Sequence, residues 1–118
     1  MIELSLPFPV STNAMWRNLR GRTLISRKGR EFRKAVGVMV GQQYMGLPLE
    51  SRLAVTVTLY PPDRRKRDID NYGGKALLDA LTHAQVWADD EQVDRLTIIR
   101  SDNTKGGGCL VQIEEVAV

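Results

Sequence analysis

The chain has 118 residues, 42% hydrophobic and 26% charged, with a net charge of +3. That is the size and composition of one soluble globular domain, here residues 1–118, long enough to bury a core without staples. A single cysteine, Cys109, excludes an internal disulfide framework, and with His83 as the only histidine a zinc site built from sulfur or imidazole is excluded too, so a metal in this chain is one held by oxygen.

In chain order, "IELSLPF" (2–8) alternates apolar and polar residues and reads as a strand, followed by the loop cluster "PVSTN". "RTLIS" (22–26) reads as a short strand. Ser26 is placed to cap a helix from about Arg27 to Tyr44, on which Phe32, Val36, Met39, Val40 and Gln43 share one face. "RLAVTVTLY" (52–60) is the clearest strand, with Val55, Val57 and Leu59 on one side, and Pro61–Pro62 stop it. "NYGGKALLDALTHA" reads as a second helix with Leu77, Leu78, Leu81 and Ala84 inward. "QVWADD" reads as a connection or edge strand and "DEQVD" as a turn. "RLTIIRS" (95–101) and "CLVQIEEV" (109–116) read as two strands joined through a hairpin loop, "DNTKGGG". Four to five strands and two main helices without regular alternation predict an α+β domain on a mixed or antiparallel sheet. No apolar run is long enough to span a bilayer, and the opening "MIELSLPFPV" lacks a signal-peptide pattern, so the expected location is the cytoplasm.

The charges are segregated. Residues 17–34 hold eight Arg and Lys against one acid, Arg64, Arg65, Lys66 and Arg67 form an unbroken basic run, and from Asp68 onward there are ten acids against four bases. A basic front on an acidic back points to a polyanionic partner. Cations also crowd the first turns of the 27–44 helix, where the helix dipole prefers acids, and a broken local rule of this kind marks functional surface.

Directly after the basic run stands Asp68-x-Asp70. An extended tripeptide puts both carboxylates on one side of the backbone. Read alone, Asp70 can equally be a helix cap and Asp68 the partner of a nearby arginine. A second acidic cluster, Asp89–Asp90, follows about twenty residues later, joined by one helix and a short return. Carboxylates converging from the two clusters form the hard-oxygen site that Mg²⁺ prefers, whereas an EF-hand is excluded by spacing. Lys75 either forms an ordinary i, i+4 pair with Asp79 or stands near a phosphate and offsets developing charge. No Ser-His-Asp, Cys-His or P-loop pattern is present, and Trp16 and Trp87 are read as packing residues, with Trp16 also able to stack on a base. Cations that gather phosphates beside carboxylates that hold a metal are what a nuclease requires.

"PPDRRKRDIDNYGGKALLDALTHAQVWADDEQV" (61–93), with "LPFPVSTN", "SRKGREFRKAV" and "TKGGG", resembles the RusA-type Holliday junction resolvases over nearly the whole chain. The resemblance implies a homodimeric, Mg²⁺-dependent endonuclease, with Mn²⁺ able to substitute, that makes paired nicks in four-way DNA junctions during recombination and repair. It places the catalytic, metal-holding carboxylates on Asp68, Asp70 and Asp90 and the catalytic lysine on Lys75, with Asp89 and Asp79 in support. The family usually reads D-x-D-N-x-x-K. "DIDNYGGK" is one residue longer, and a late helix start at Gly73–Gly74 would absorb it. Arg64, Arg65, Lys66 and Arg67 are expected to position the DNA backbone, with Arg17, Arg20, Arg22, Arg27, Lys28 and Arg30 as a second contact surface. The alternatives are a nuclease preferring flaps or forks, a non-catalytic DNA-binding module with structural acids, and an oxygen-ligand metal protein without nucleic acid.

Overall fold

The computed structural model describes residues 1–116. Strands β1 (Ile2–Leu6), β6 (Gly108–Glu115), β4 (Leu53–Tyr60) and β5 (Val93–Arg100) form a mixed sheet in the order β1-β6-β4-β5. β6 runs antiparallel to both its neighbours, and β5 runs parallel to β4. Alternation in β4 puts Leu53, Val55, Val57 and Leu59 on one face, where helix α2 (Arg27–Gln43) adds Phe32, Val36 and Val40 to the core and helix α4 (Lys75–His83) adds Ala76, Leu77, Ala80 and Leu81. The opposite face stays open around Thr56, Arg95, Thr97 and Gln112.

Ser26 caps α2 as expected, its hydroxyl accepting from the Gly29 N–H at 3.0 Å. Gln43, expected on the core face, is exposed. Its amide instead pairs with Ser5 (2.7 and 2.8 Å) and closes part of the free edge of β1. Four expectations need correction. The loop "PVSTN" contains a helical turn, α1 (Thr12–Met15), because the Ser11 hydroxyl accepts from the Ala14 N–H. The "RTLIS" strand β3 (Arg22–Ile25) has a partner, β2 (Trp16–Leu19), across a two-residue turn in which Arg20 and Gly21 both take positive φ, the geometry that suits strand twist in a tight hairpin. The second helix is split into α3 (Asp70–Gly73) and α4, since the backbone leaves helical geometry at Gly74. Finally, "DNTKGGG" is not a hairpin loop. β6 lies between β1 and β4, so residues 101–107 must cross the end of β4, where Ser101 N–H bonds Leu59 O and Thr104 N–H bonds Pro61 O, both at 2.8 Å.

α2 approaches α1 as closely as it does because Gly29 has no side chain: a Cβ there would lie 2.4 Å from the Met15 carbonyl oxygen and 2.8 Å from Ile25 Cγ1. Gly37, in the same helix, faces open space. Gly29→Ala should therefore lower stability by about 1–3 kcal/mol through overpacking. Gly37→Ala should raise it by about 0.5–1 kcal/mol through helix propensity. Urea unfolding of the two variants beside the parent checks the opposite signs.

Candidate functional site

The exit of β4 sets the site. After Pro61–Pro62 the chain turns through Asp63, runs as the basic stretch and enters α3 at Asp70. Arg67 differs from the three cations before it. Its side chain is only 10% exposed, pairs with Asp63 at 2.9 Å, donates to the Asp63 carbonyl at 3.2 Å, and lies over the rings of Phe8 and Tyr72 at 5.3 and 5.8 Å. Its own carbonyl accepts from the Arg100 guanidinium. Arg67 thus joins the loop after β1, the exit of β4 and α3. Arg65 also grips Asp63 (3.0 Å), and its hydrogen bonds hold the Asp63 carboxyl well below the usual carboxylate range, with Arg67 adding to the effect. Because that shift is downward, the pair's contribution is present above the ordinary carboxylate titration and is lost only as the pH falls into strong acid.

Asp68, Asp70, Asn71 and Lys75 line one cleft of about 380 Å³ with Thr12 and Asn13 of α1. The cap at α3 is Ile69, and Asp70 makes no capping bond. Among the described residues the Asp68 and Asp70 carboxylates have neither a hydrogen-bond nor an ion-pair partner, unlike Asp63, Asp79 and Asp94, so the cap-and-arginine reading of these two residues does not hold. Lys75 begins α4 and, despite the longer spacing, turns back so that its Nζ stands 3.8 Å from Asp90 Oδ2. The i, i+4 pair with Asp79 does not form: Asp79 binds Arg33 at 2.9 Å and ties α4 to α2.

Asp90 opens a 3-10 turn, Asp90–Gln92, that is fixed from three sides. The Asp89 carboxylate accepts from the Glu91 N–H, and the Gln92 amide returns to the Asp89 N–H at 2.8 Å. The buried Gln92 also donates to the Leu49 and Ser51 carbonyls at 2.9 Å each, and Arg52 binds Glu91 and Asp94. Asp89 is thus a cap, spent on the turn. The structure brings Asp68, Asp70 and Lys75 to one cleft and attaches Asp90 through Lys75. Among the described residues no three acidic, histidine or cysteine side chains gather into a ligand cluster on their own. The donors present nevertheless fit a small hard dication, which keeps several waters and takes one or two carboxylates plus phosphate oxygens rather than a complete protein cage.

Of the expected cations, Arg17, Arg20 and Arg22 all lie on the exposed β2–β3 ribbon, with Arg20 at its tip. Among the described residues, those three, Lys28, Arg64 and Lys66 form no ion pair, while Arg27 pairs with Glu31 and Arg30 donates to the Ile25 carbonyl. Sequence reading missed the ribbon, although "RNLRGR" carries its turn, and missed Thr12 and Asn13 as cleft walls. Burial pushes the Cys109 thiol up to about 12, which removes it as a nucleophile.

An α+β fold that carries both an acidic cleft and an exposed basic ribbon defines a candidate nucleic-acid-processing enzyme. The family model "Endodeoxyribonuclease RusA" matches residues 7–114. The chain is 40% identical to the crossover junction endodeoxyribonuclease rusA of Enterobacteria phage HK97, 37% to that of Enterobacteria phage 82 and 36% to crossover junction endodeoxyribonuclease RusA of Escherichia coli K12, each over 97% of this chain and 94% of the relative. The chain belongs to the RusA endodeoxyribonuclease family.

Arg67→Ala should destabilise the fold by about 1–3 kcal/mol, through loss of ring packing and hydrogen bonds to a mostly covered guanidinium. Arg64→Ala should leave the unfolding midpoint near that of the parent while weakening DNA binding at low salt. Thermal unfolding and gel shift on the same preparations separate the two roles.

Proposed function

We propose that the chain is a structure-selective endodeoxyribonuclease that resolves four-way DNA junctions by paired nicks, acting in recombination and repair in the cytoplasm. The observation that carries this reading is the cleft in which Asp68 and Asp70, without partners among the described residues, stand with Lys75, itself bound to Asp90, in a chain that also presents an exposed basic ribbon. Asp68 and Asp70, joined by Asp90, are the residues that would hold Mg²⁺, with Mn²⁺ as a substitute. A divalent ion there supplies Lewis-acid polarisation of the phosphate and a nucleophilic water at neutral pH.

The chain's own residues do the rest. Arg64, Arg65 and Lys66 and the ribbon cations Arg17, Arg20 and Arg22 hold backbone phosphates, offsetting a charge that Asp68 and Asp70 would otherwise repel. Hydrolysis breaks one P–O ester bond and makes one to water. Lys75 is placed to balance the negative charge that grows on the phosphoryl oxygens, and the clamped Asp90 turn keeps its ammonium at the cleft. Two related cuts call for two related sites, which a homodimer supplies. The outer edge of β5, with Leu96 and Ile99 37% and 44% exposed, is the unpaired surface that a second copy would cover.

Asp70→Asn and Asp90→Asn keep the shape and remove one charge each. Cutting of a four-way junction in Mg²⁺ should fall by on the order of a hundredfold or more. Binding in EDTA should be equal to that of the parent or slightly tighter, because a charge that repels phosphate has gone. Gel shift and nicking rate on the same preparations test this. Near-parental cutting by Asp70→Asn would remove that residue from the site and with it the reading.

A further inference from the structure

The short helix α1 is held unusually firmly for a single turn. The Ser11 hydroxyl accepts from the Ala14 N–H at 3.1 Å. The Ser26 hydroxyl bonds the Ala14 and Met15 carbonyls and accepts from the Gly29 N–H. Gly29 brings α2 into direct contact behind it, and the Asn13 N–H reaches Asn71 Oδ1 in α3 at 3.4 Å. Every hydroxyl around this turn is satisfied except one. Thr12 Oγ1 is shut off from solvent with no hydrogen-bond partner, one of two such side-chain atoms among the described residues; the other, Ser51, is not part of the cleft.

A buried hydroxyl without a partner destabilises the fold, and an orphan of this kind in a folded protein calls for a cause. Here the residue that carries it lines the same cleft as Asp68, Asp70 and Lys75. In threonine one staggered step about χ1 carries the hydroxyl into the place of the methyl or of the Cβ hydrogen, and in helices two such wells are populated. Thr12 is itself partly exposed although its oxygen is not, and a step about χ1 leaves the clamped backbone where it is.

We propose that Thr12 is a substrate-contacting residue whose hydroxyl turns into the cleft and donates to a non-bridging oxygen of the DNA phosphate seated against Asp68, Asp70 and Lys75. The donor costs little to recruit, because its hydroxyl has no hydrogen bond within the protein to give up. It lines the same cleft as the acids, where it adds a neutral donor to an anion that the carboxylates do not favour. This rests on the nuclease reading above.

The test uses Thr12→Val, which keeps the shape and removes the hydroxyl, and Thr12→Ser, which keeps the hydroxyl. Thermal unfolding, junction binding in EDTA and single-turnover cutting in Mg²⁺ are measured for both beside the parent. Thr12→Val should fold with an unchanged or higher Tm, bind the junction in EDTA no more tightly than the parent, and cut on the order of tenfold more slowly or worse. Thr12→Ser should recover most of the rate. Parental cutting by Thr12→Val with a raised Tm would make the orphan hydroxyl a packing defect and overturn the assignment, as would a Thr12→Ser variant as slow as Thr12→Val. An active parent with an unaffected Thr12→Val defeats this assignment alone, whereas a parent that cuts no junction defeats the nuclease reading together with it.

Discussion

The guanidinium of Arg67, held between two aromatic rings and the Asp63 carboxylate, is the contact on which the site depends. Three segments meet on it: Phe8 after β1, far away in sequence, and Asp63 after β4 and Tyr72 in α3, which flank it. An ammonium could not do the same, since it lacks the planar fork that bonds a carboxylate and a carbonyl while stacking on rings. The next residue is Asp68. The clamp therefore fixes where the first carboxylate leaves the sheet, and the unpaired cations before it are free to face solvent because this one cation turns inward.

The second constraint is charge. Asp68 and Asp70 stand in a cleft without cationic partners, while Asp63, Asp79 and Asp94 are each neutralised by an arginine. A fold that supplies such pairs elsewhere and, among the described residues, none at Asp68 and Asp70 is what the proposed metal site requires. The basic ribbon answers the same problem from the other side, since a polyanion approaches an acidic cleft only if cations outside it hold the backbone. Lys75 links the two halves, borrowing its position from Asp90, whose turn is fixed by the buried Gln92 and the exposed Arg52.

Much of this was legible in the residues. Alternation in β4 and Ser26 before an amphipathic run gave strand and helix directly, because burial of one face and capping are local signals. The acids and cations of the cleft were legible from their spacing. What was not legible depends on long-range pairing. Strand order is set by β6 inserting beside β4, which turns an apparent hairpin into a crossing loop. The late start of α4 after Gly73–Gly74 was legible, and the inward turn of Arg67 was not, because it depends on Phe8, nearly sixty residues away. From sequence, four consecutive cations are equivalent, and only the fold distinguishes the fourth from the first three.

The central claim is that a metal bound at Asp68, Asp70 and Asp90 lets this chain cut branched DNA at related positions on opposing strands. The most direct measurement is the mapping of cut positions on a four-way junction end-labelled on each strand in turn, with the parent protein in Mg²⁺ and in EDTA. The account predicts symmetric nicks on one pair of opposing strands near the branch point in Mg²⁺, and an intact, protein-bound junction in EDTA. Cutting that persists in EDTA, or nicks scattered over linear duplex and junction alike, would contradict it.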